Sequence, residues 1–197
     1  MSHTTYPDRR VERTRRRLRN AFISNLKRYA YEDIKVSNLT REAKVDRTSF
    51  YNHYKSMDHL REDVMDYVIK DLITAYREPY QQKKSFIMDE FEPDSITIFN
   101  AVYEHKNTYE ILIKSQQLPL FQYKLTQEIT RVALNDYTCD SSKINLTLHS
   151  IFYAHAITGL IVHWVQEGFY YTPQNLAKQL IQIIKYTPRN NMILKST

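Results

Sequence analysis

Residues 34 to 60, Ile34-Lys-Val-Ser-Asn-Leu-Thr-Arg-Glu-Ala-Lys-Val-Asp-Arg-Thr-Ser-Phe-Tyr-Asn-His-Tyr-Lys-Ser-Met-Asp-His-Leu60, read as a short helix, a tight turn and a second short helix. The first spans Val36 to Lys44, with Leu39 and Ala43 one turn apart on its inner side. Asp46 is a good N-cap for the second, because its carboxylate can accept from the free amides of the first turn. Phe50 and Tyr54 form that helix's buried side, which turns the faces of Ser49, Asn52 and His53 outward. Arg47, Thr48, Ser49, Tyr51, Asn52, His53 and Lys55 together can donate to base edges and phosphates. A helix-turn-helix needs such a set on the helix it lays in the major groove.

Working outward, Ser56 can cap a following helix whose first turn holds Asp58, a charge that suits the helix dipole. Leu60, Val64, Val68 and Leu72 recur every fourth residue and carry it to about Tyr76, before Pro79. On the other side, Arg9 to Ala30 forms one basic amphipathic helix with Leu18, Phe22, Leu26 and Tyr29 as its apolar stripe. Residues 1 to 55 hold 14 Lys+Arg against 6 Asp+Glu, and residues 56 to 197 hold 14 against 16. A basic amino-terminal head on a near-neutral body is the electrostatic footprint of nucleic-acid binding.

Only Gly159 and Gly168 occur in 197 residues. That argues against sheets with tight turns and against loops that cradle phosphates, so no nucleotide cofactor is expected. The histidines give no i, i+4 pair on one helix, and His149 and His155 face different ways, so no metal site is expected. No nucleophile elbow is present, so an enzyme is disfavoured. Cys139 is the one cysteine, which excludes an intrachain disulfide and fits a reducing cytoplasm; it reads as a tolerated thiol near a loop. Met1 to Asp8 has no apolar signal core. The most apolar stretch, Ile151 to Val165, is interrupted by His155, Thr158 and His163 and falls short of the ~20 residues of a membrane span. A soluble, cytoplasmic, all-α protein is expected, with no membrane partner.

After Pro79, residues 80 to 94 read as a connecting segment. Helices are expected at 95 to 105, 107 to 116 and Pro119 to Tyr137, then a loop over Thr138 to Lys143. Asn145 to Glu167 reads as a long helix, apolar on most sides and ending at Gly168. Thr172-Pro173 opens the last helix, with Leu176, Leu180, Ile183 and Ile184 as its stripe. A helix apolar nearly all round is either the central core helix of a monomer or one that offers a second face to another copy. Ile151, Ala154, Thr158, Gly159, Val162 and Val165 are the candidates for that face. The dimer is favoured, because a helix-turn-helix gains half-site specificity by dimerising.

Three pieces of this sequence resemble the TetR/AcrR family of bacterial transcription regulators. They are the basic first helix with Ala21, Phe22 and Leu26; Leu39-Thr-Arg-Glu-Ala43-Lys-Val45, similar to aliphatic-Ala-x-x-Ala-Gly-Val; and Thr48-Ser-Phe50-Tyr51-Asn-His53-Tyr54-Lys55, similar to Gly-Thr-x-Tyr-x-His/Tyr-Phe. Leu60 falls on the family's leucine opening the fourth helix. The match covers roughly residues 10 to 70. Gly159-Leu-Ile-Val-His-Trp164-Val-Gln-Glu-Gly168-Phe also looks like the G-L-x-x-x-W-x-x-x-G helix of a Gram-positive subgroup, some of whose members regulate dihydroxyacetone kinase operons.

The resemblance implies a helix-turn-helix head over residues 9–70 and a helical effector-binding and dimerisation domain over 71–190. It implies DNA contacts from Arg47, Thr48, Ser49, Tyr51, Asn52, His53 and Lys55. Asn52 is chemically the best base reader, since its amide can pair bidentately with adenine. Tyr51, His53 and Lys55 suit phosphates, Arg47 suits either, and Thr48 and Ser49 can also simply support the helix start. Arg9, Arg10 and Arg13 can reach phosphates or a minor groove, or remain a solvated face. The last two long helices, Leu180 and Ile184 included, would pair with those of a second copy. A small molecule would enter the larger domain, where Tyr103, Phe121 and Phe152 are candidate pocket residues. A palindromic double-stranded operator, a homodimer and a small-molecule effector are the implied partners, and repression the implied effect.

Two departures stand out. The family's turn glycine is Lys44, which costs strain of order 1 kcal/mol if φ is positive there, and which can gain a phosphate contact. The frequent lysine opening the fourth helix is Met57, for which Lys55 can substitute. An alternative role follows from these departures: a degenerate member acting mainly through protein–protein binding.

Overall fold

The computed structural model describes residues 6–78, 80, 92–93, 96–136 and 144–185. Among them every regular element is helical: α1 (Tyr6–Leu26), α2 (Val36–Ala43), α3 (Arg47–His53), α4 (Met57–Arg77), α5 (Ile98–Glu104), α6 (Lys106–Lys114), α7 (Leu118–Asp136), α8 (Leu146–Gln166) and α9 (Pro173–Lys185). The expected loop at 138–143, Cys139, and the end of the second expected domain (186–190) lie outside the described residues, as does most of the 80–94 connection.

Leu18, Ala21, Phe22 and Leu26 bury one side of α1. The helix is shorter than its pattern suggests. The amides of Arg28 and Tyr29 both close onto the Asn25 carbonyl, and α1 ends there. Asn25 is itself buried, and its side-chain amide donates to the Ala21 carbonyl at 2.7 Å and to Glu42 on α2 at 2.9 Å. A short amide side chain that bonds the backbone competes with helix continuation. Tyr29 is therefore exposed rather than part of the stripe, and Tyr31, in a 3-10 turn, packs edge-on against Phe22 instead.

The helix ends follow local chemistry. The Asp46 carboxylate accepts from the Ser49 amide (2.7 Å), Ser56 Oγ from the His59 amide (3.2 Å), Asn145 from the Leu148 amide (3.0 Å) and Thr172 Oγ1 from the Asn175 amide (3.2 Å). At the end of α8 the Gly168 amide donates to the Val165 carbonyl and the Phe169 amide to that of Trp164. This is the paired closure that calls for a left-handed residue, and Gly168 has φ 71°. Phe169 is left-handed too, at φ 61°, and its ring meets Trp164 at 5.0 Å, the apolar contact that accompanies such a turn.

The buried core is continuous from Leu18 to Leu180. Helix α4 makes it so, touching α1 on one side and α5 and α7 on the other. Met65 and Ile69 widen its expected stripe of Leu60, Val64, Val68 and Leu72. Helix α8 lies along α7 and against α6, and α9 lies against α5. The α9 stripe is Leu176, Ala177, Leu180 and Ile181, with Ile184 half-buried; of the expected stripe only Ile183 points outward. Helix α8 as a whole, at 21 residues, is long and apolar enough to cross a membrane by length and composition, although its most apolar stretch, Ile151 to Val165, is shorter. Eight of its residues, Trp164 among them, are buried against the rest of the chain.

Candidate nucleic-acid interface

Seven residues make a helix too short to be stable by itself, so α3 depends on what holds it. Phe50 and Tyr54 anchor it from below, fully buried. Its start is fixed by Asp46, which also accepts from Ser49 Oγ at 2.7 Å; these bonds from the Ser49 amide and hydroxyl keep the carboxyl below its ordinary range. The Ser49 hydroxyl is thereby committed to the helix start. Arg47, Thr48, Tyr51, Asn52 and Lys55 are exposed, and His53 is half-buried. The Arg47 guanidinium lies 5.6 Å from the centre of the Tyr51 ring, one turn on. Asn52 has no hydrogen-bond partner among the described residues, so its amide keeps both a donor and an acceptor for an outside group.

Lys44 ends α2 with φ 54° and ψ 49°, squarely left-handed, and its amide donates to the Arg41 carbonyl. The turn keeps the geometry of a glycine turn, and the lysine side chain is exposed beside α3. On α1, Arg9, Arg10, Arg13, Arg16 and Arg17 are exposed without an ion pair among the described residues. Spacings of four and three put Arg9, Arg13 and Arg16 on the side opposite Leu18 and Phe22.

The sequence reading missed a polar centre beneath this surface. Asp63, on α4, accepts from Arg15 and, at 3.1 Å, from Arg19, both on α1. It also accepts from the Tyr54 hydroxyl at 2.6 Å. Arg19 pairs with Glu12 as well, and its guanidinium lies 4.2 Å from the centre of the Tyr67 ring. Burial alone would raise the Asp63 carboxyl. The bonds from Tyr54 and Arg19 and the charges of Arg15 and Arg19 outweigh it and hold the carboxyl below its usual range. Burial, and then the bond to Asp63, push the Tyr54 hydroxyl up to about 12, so it stays a donor. One turn along, Lys124 of α7 bonds Glu62 (2.5 Å) and Asp66 (2.7 Å), so α4 is tied to α1 and α3 on one side and to α7 on the other. The i, i+4 pair Arg15 and Arg19 was the available signal.

The residues named for a second copy divide into two groups. Ala154, Thr158, Val162, Val165 and Leu180 are buried inside the chain, Ile184 is half-buried, and only Ile151 and Gly159 are exposed. Thr158 Oγ1 lies 3.2 Å from Thr126 Oγ1 of α7. The outward side of α8 runs instead through Leu148, Ile151, Phe152, His155, Gly159 and His163. The three pocket candidates do not converge. Phe121 is core, packed on Tyr109; Phe152 is 68% exposed; Tyr103 stacks on Trp164. A cavity of about 230 Å³ lies between α5 and the start of α9, lined by Pro93, Ile96, Asn100, Pro173, Gln174 and Ala177.

Comparison with known proteins follows the same architecture. Residues 89–186 match the TetR-type family model described as a transcriptional regulator C-terminal region. Over 181 residues the chain is 24% identical to the HTH-type transcriptional regulator YxbF of Bacillus subtilis (strain 168). That match covers 90% of this chain and 46% of the relative, so the chain spans about half the relative's length. Among solved structures, the dihydroxyacetone kinase operon activator DhaS superposes with a TM-score of 0.60 at 16% identity, over 87% of this chain and 93% of its own. The fatty acid degradation regulator FadR of Bacillus halodurans gives 0.63 at 13%, over 90% and 97%. A TetR regulator from Streptococcus agalactiae 2603V gives 0.55 at 20%, over 91% and 98%. The match over residues 89–186 places the carboxyl-terminal region of the chain among the TetR-family transcriptional regulators.

Proposed function

We propose that the chain binds a palindromic DNA operator as a homodimer in the cytoplasm and represses transcription until a small molecule enters its larger domain. Residues 9–70 serve as the head and 71–190 as the effector-binding and dimerisation part. The observation that carries the reading is the outward face of α3, where Asn52 is exposed and unpartnered between a capped helix start and two buried aromatics. In this reading Asn52 reads a base, Tyr51, His53, Lys55 and Lys44 meet phosphates, Arg47 serves either purpose, and Arg13 reaches a phosphate or a minor groove. The left-handed Lys44 weighs against the alternative of a degenerate, protein-binding member, since the turn survives the loss of glycine.

Gly159 supports the second copy. A Cβ added there would touch nothing within 4 Å, so packing inside this chain does not explain a glycine in a helix interior. Beside it, Ile151, Leu148 and Phe152 leave apolar area uncovered.

Selecting bound duplexes from a random DNA pool at about physiological salt tests the reading: an enriched palindrome is expected, and its absence from a folded dimer overturns direct DNA reading. With the selected duplex, Asn52→Ala should lower discrimination between sequences. Lys55→Ala should weaken all binding alike and reduce the salt slope by about 1. Equal effects of both changes on all sequences would remove these assignments.

A further inference from the structure

At the carboxyl end of α3, the polypeptide leaves the helix at Tyr54, whose backbone is extended (φ −135°, ψ 124°) and whose ring is 1% exposed. The family signature that this segment resembles has phenylalanine at that position, so burial of a ring is enough for the fold. Here the ring carries a hydroxyl, and the hydroxyl meets Asp63 Oδ2 at 2.6 Å. Asp63 is held in turn by Arg15 and Arg19, and the Arg15 guanidinium lies 6.0 Å from the centre of the Tyr54 ring. The carboxylate thus gathers donors from α1 and from the end of α3 onto the first third of α4.

We propose that Asp63, through the Tyr54 hydroxyl and held by Arg15 and Arg19, is a positioning residue that sets the tilt of α3 and with it the reach of Asn52 and Tyr51. The proposal rests on the DNA-binding reading and deepens it by naming what aims the reading helix. The start of α3 is fixed by Asp46, within the same segment and free to move with it. The Tyr54–Asp63 bond is different, because it refers α3 to α4 and α1, helices that lie in the continuous core. A bond from a hydroxyl to a partly sunk carboxylate is among the stronger kind, and sequence reading requires side chains held to about half an ångström. Arg15 and Arg19 balance the carboxylate's charge, so Asp63 stays ionised and remains an acceptor as Tyr54 enters.

The test uses the full-length chain with Tyr54→Phe, which keeps the ring and removes only the hydroxyl, and with Asp63→Asn. Two readouts are taken: affinity for the selected duplex and for a scrambled duplex of equal length, and hydrogen exchange of the amides from Phe50 to Tyr54. Tyr54→Phe should weaken the selected duplex about tenfold while leaving the scrambled one within about twofold. Exchange in α3 should speed by about tenfold, with that of α8 unchanged. Asp63→Asn should speed the α3 amides at least as much, and adding Tyr54→Phe to it should change little further, because the carboxylate that the hydroxyl bonds is already gone. Native discrimination and native α3 exchange in Tyr54→Phe would overturn the positioning role, and so would an equal loss on both duplexes. A native chain that selects no duplex would remove the DNA reading instead, and the exchange measurement would still decide whether Asp63 holds α3.

Discussion

The two ends of this molecule are held by different chemistry. Around α1 to α4, carboxylates do the joining: Asp63 gathers Arg15, Arg19 and Tyr54, Glu42 gathers Arg28 and Asn25, and Asp58 takes Arg61 at 2.9 Å and the Tyr31 hydroxyl at 2.6 Å. Around α5, α8 and α9, rings do it: Trp164 meets Phe99 edge-on at 5.9 Å, Tyr103 at 6.1 Å and Phe169 at 5.0 Å, and its indole N–H donates to the Tyr171 carbonyl. The difference teaches where each region is vulnerable. A basic head stitched by acids answers to pH and salt, whereas a packed aromatic body answers to lost volume.

Trp164→Ala should give the largest effect, a loss of about 3–5 kcal/mol for a fully buried ring of this size. In thermal unfolding that is a fall of about 10 °C for a chain of this length. Because the core runs unbroken through α4, one transition is expected; two resolved transitions would break the idea that head and body melt together.

Acid comes next. The Asp63 carboxyl sits below its ordinary range in the folded chain, so its contribution is present above the unfolded value near ~3.9 and is lost as pH falls through the lower, folded one. Native protein should therefore lose stability below about pH 4 more steeply than Asp63→Asn. Equal slopes in the two proteins would mean that the carboxylate at this junction is not what joins the head.

Smallest is Lys44→Gly, which should stabilise by about 0.5–1 kcal/mol by relieving a left-handed lysine. Duplex binding measured on the same variant sharpens the comparison. Higher stability with weaker binding would show that the head keeps strain in exchange for a cation.

How much of this was legible in the sequence depends on whether the signal was local. Asp46, Ser56, Asn145 and Thr172 act within three residues, and each cap was readable. Asp63 was not, because its partners stand 48 and 44 residues away on α1, and one acid on an amphipathic helix looks like any solvated charge. Helix α8 failed for another reason. A stripe has a phase only when a polar face sets it off, and α8 is apolar on nearly every side. Ala154, Thr158, Val162 and Val165 were thus assigned outward while Leu148 and Phe152 hold that side. On α9 the misassignment is confined to Ile183, which points outward while Ile181 is buried.

Trp164 is the chain's single tryptophan, 2% exposed, and its indole is bonded to the turn that leads into α9. Tyr171, which accepts that bond, stands two residues before Pro173, and Tyr103, which stacks on the indole, stands three after Asn100. Both of those neighbours line the cavity between α5 and α9. The chain therefore carries its one tryptophan in contact with residues that neighbour the lining of that cavity, and indole emission can report occupancy of the space without any label.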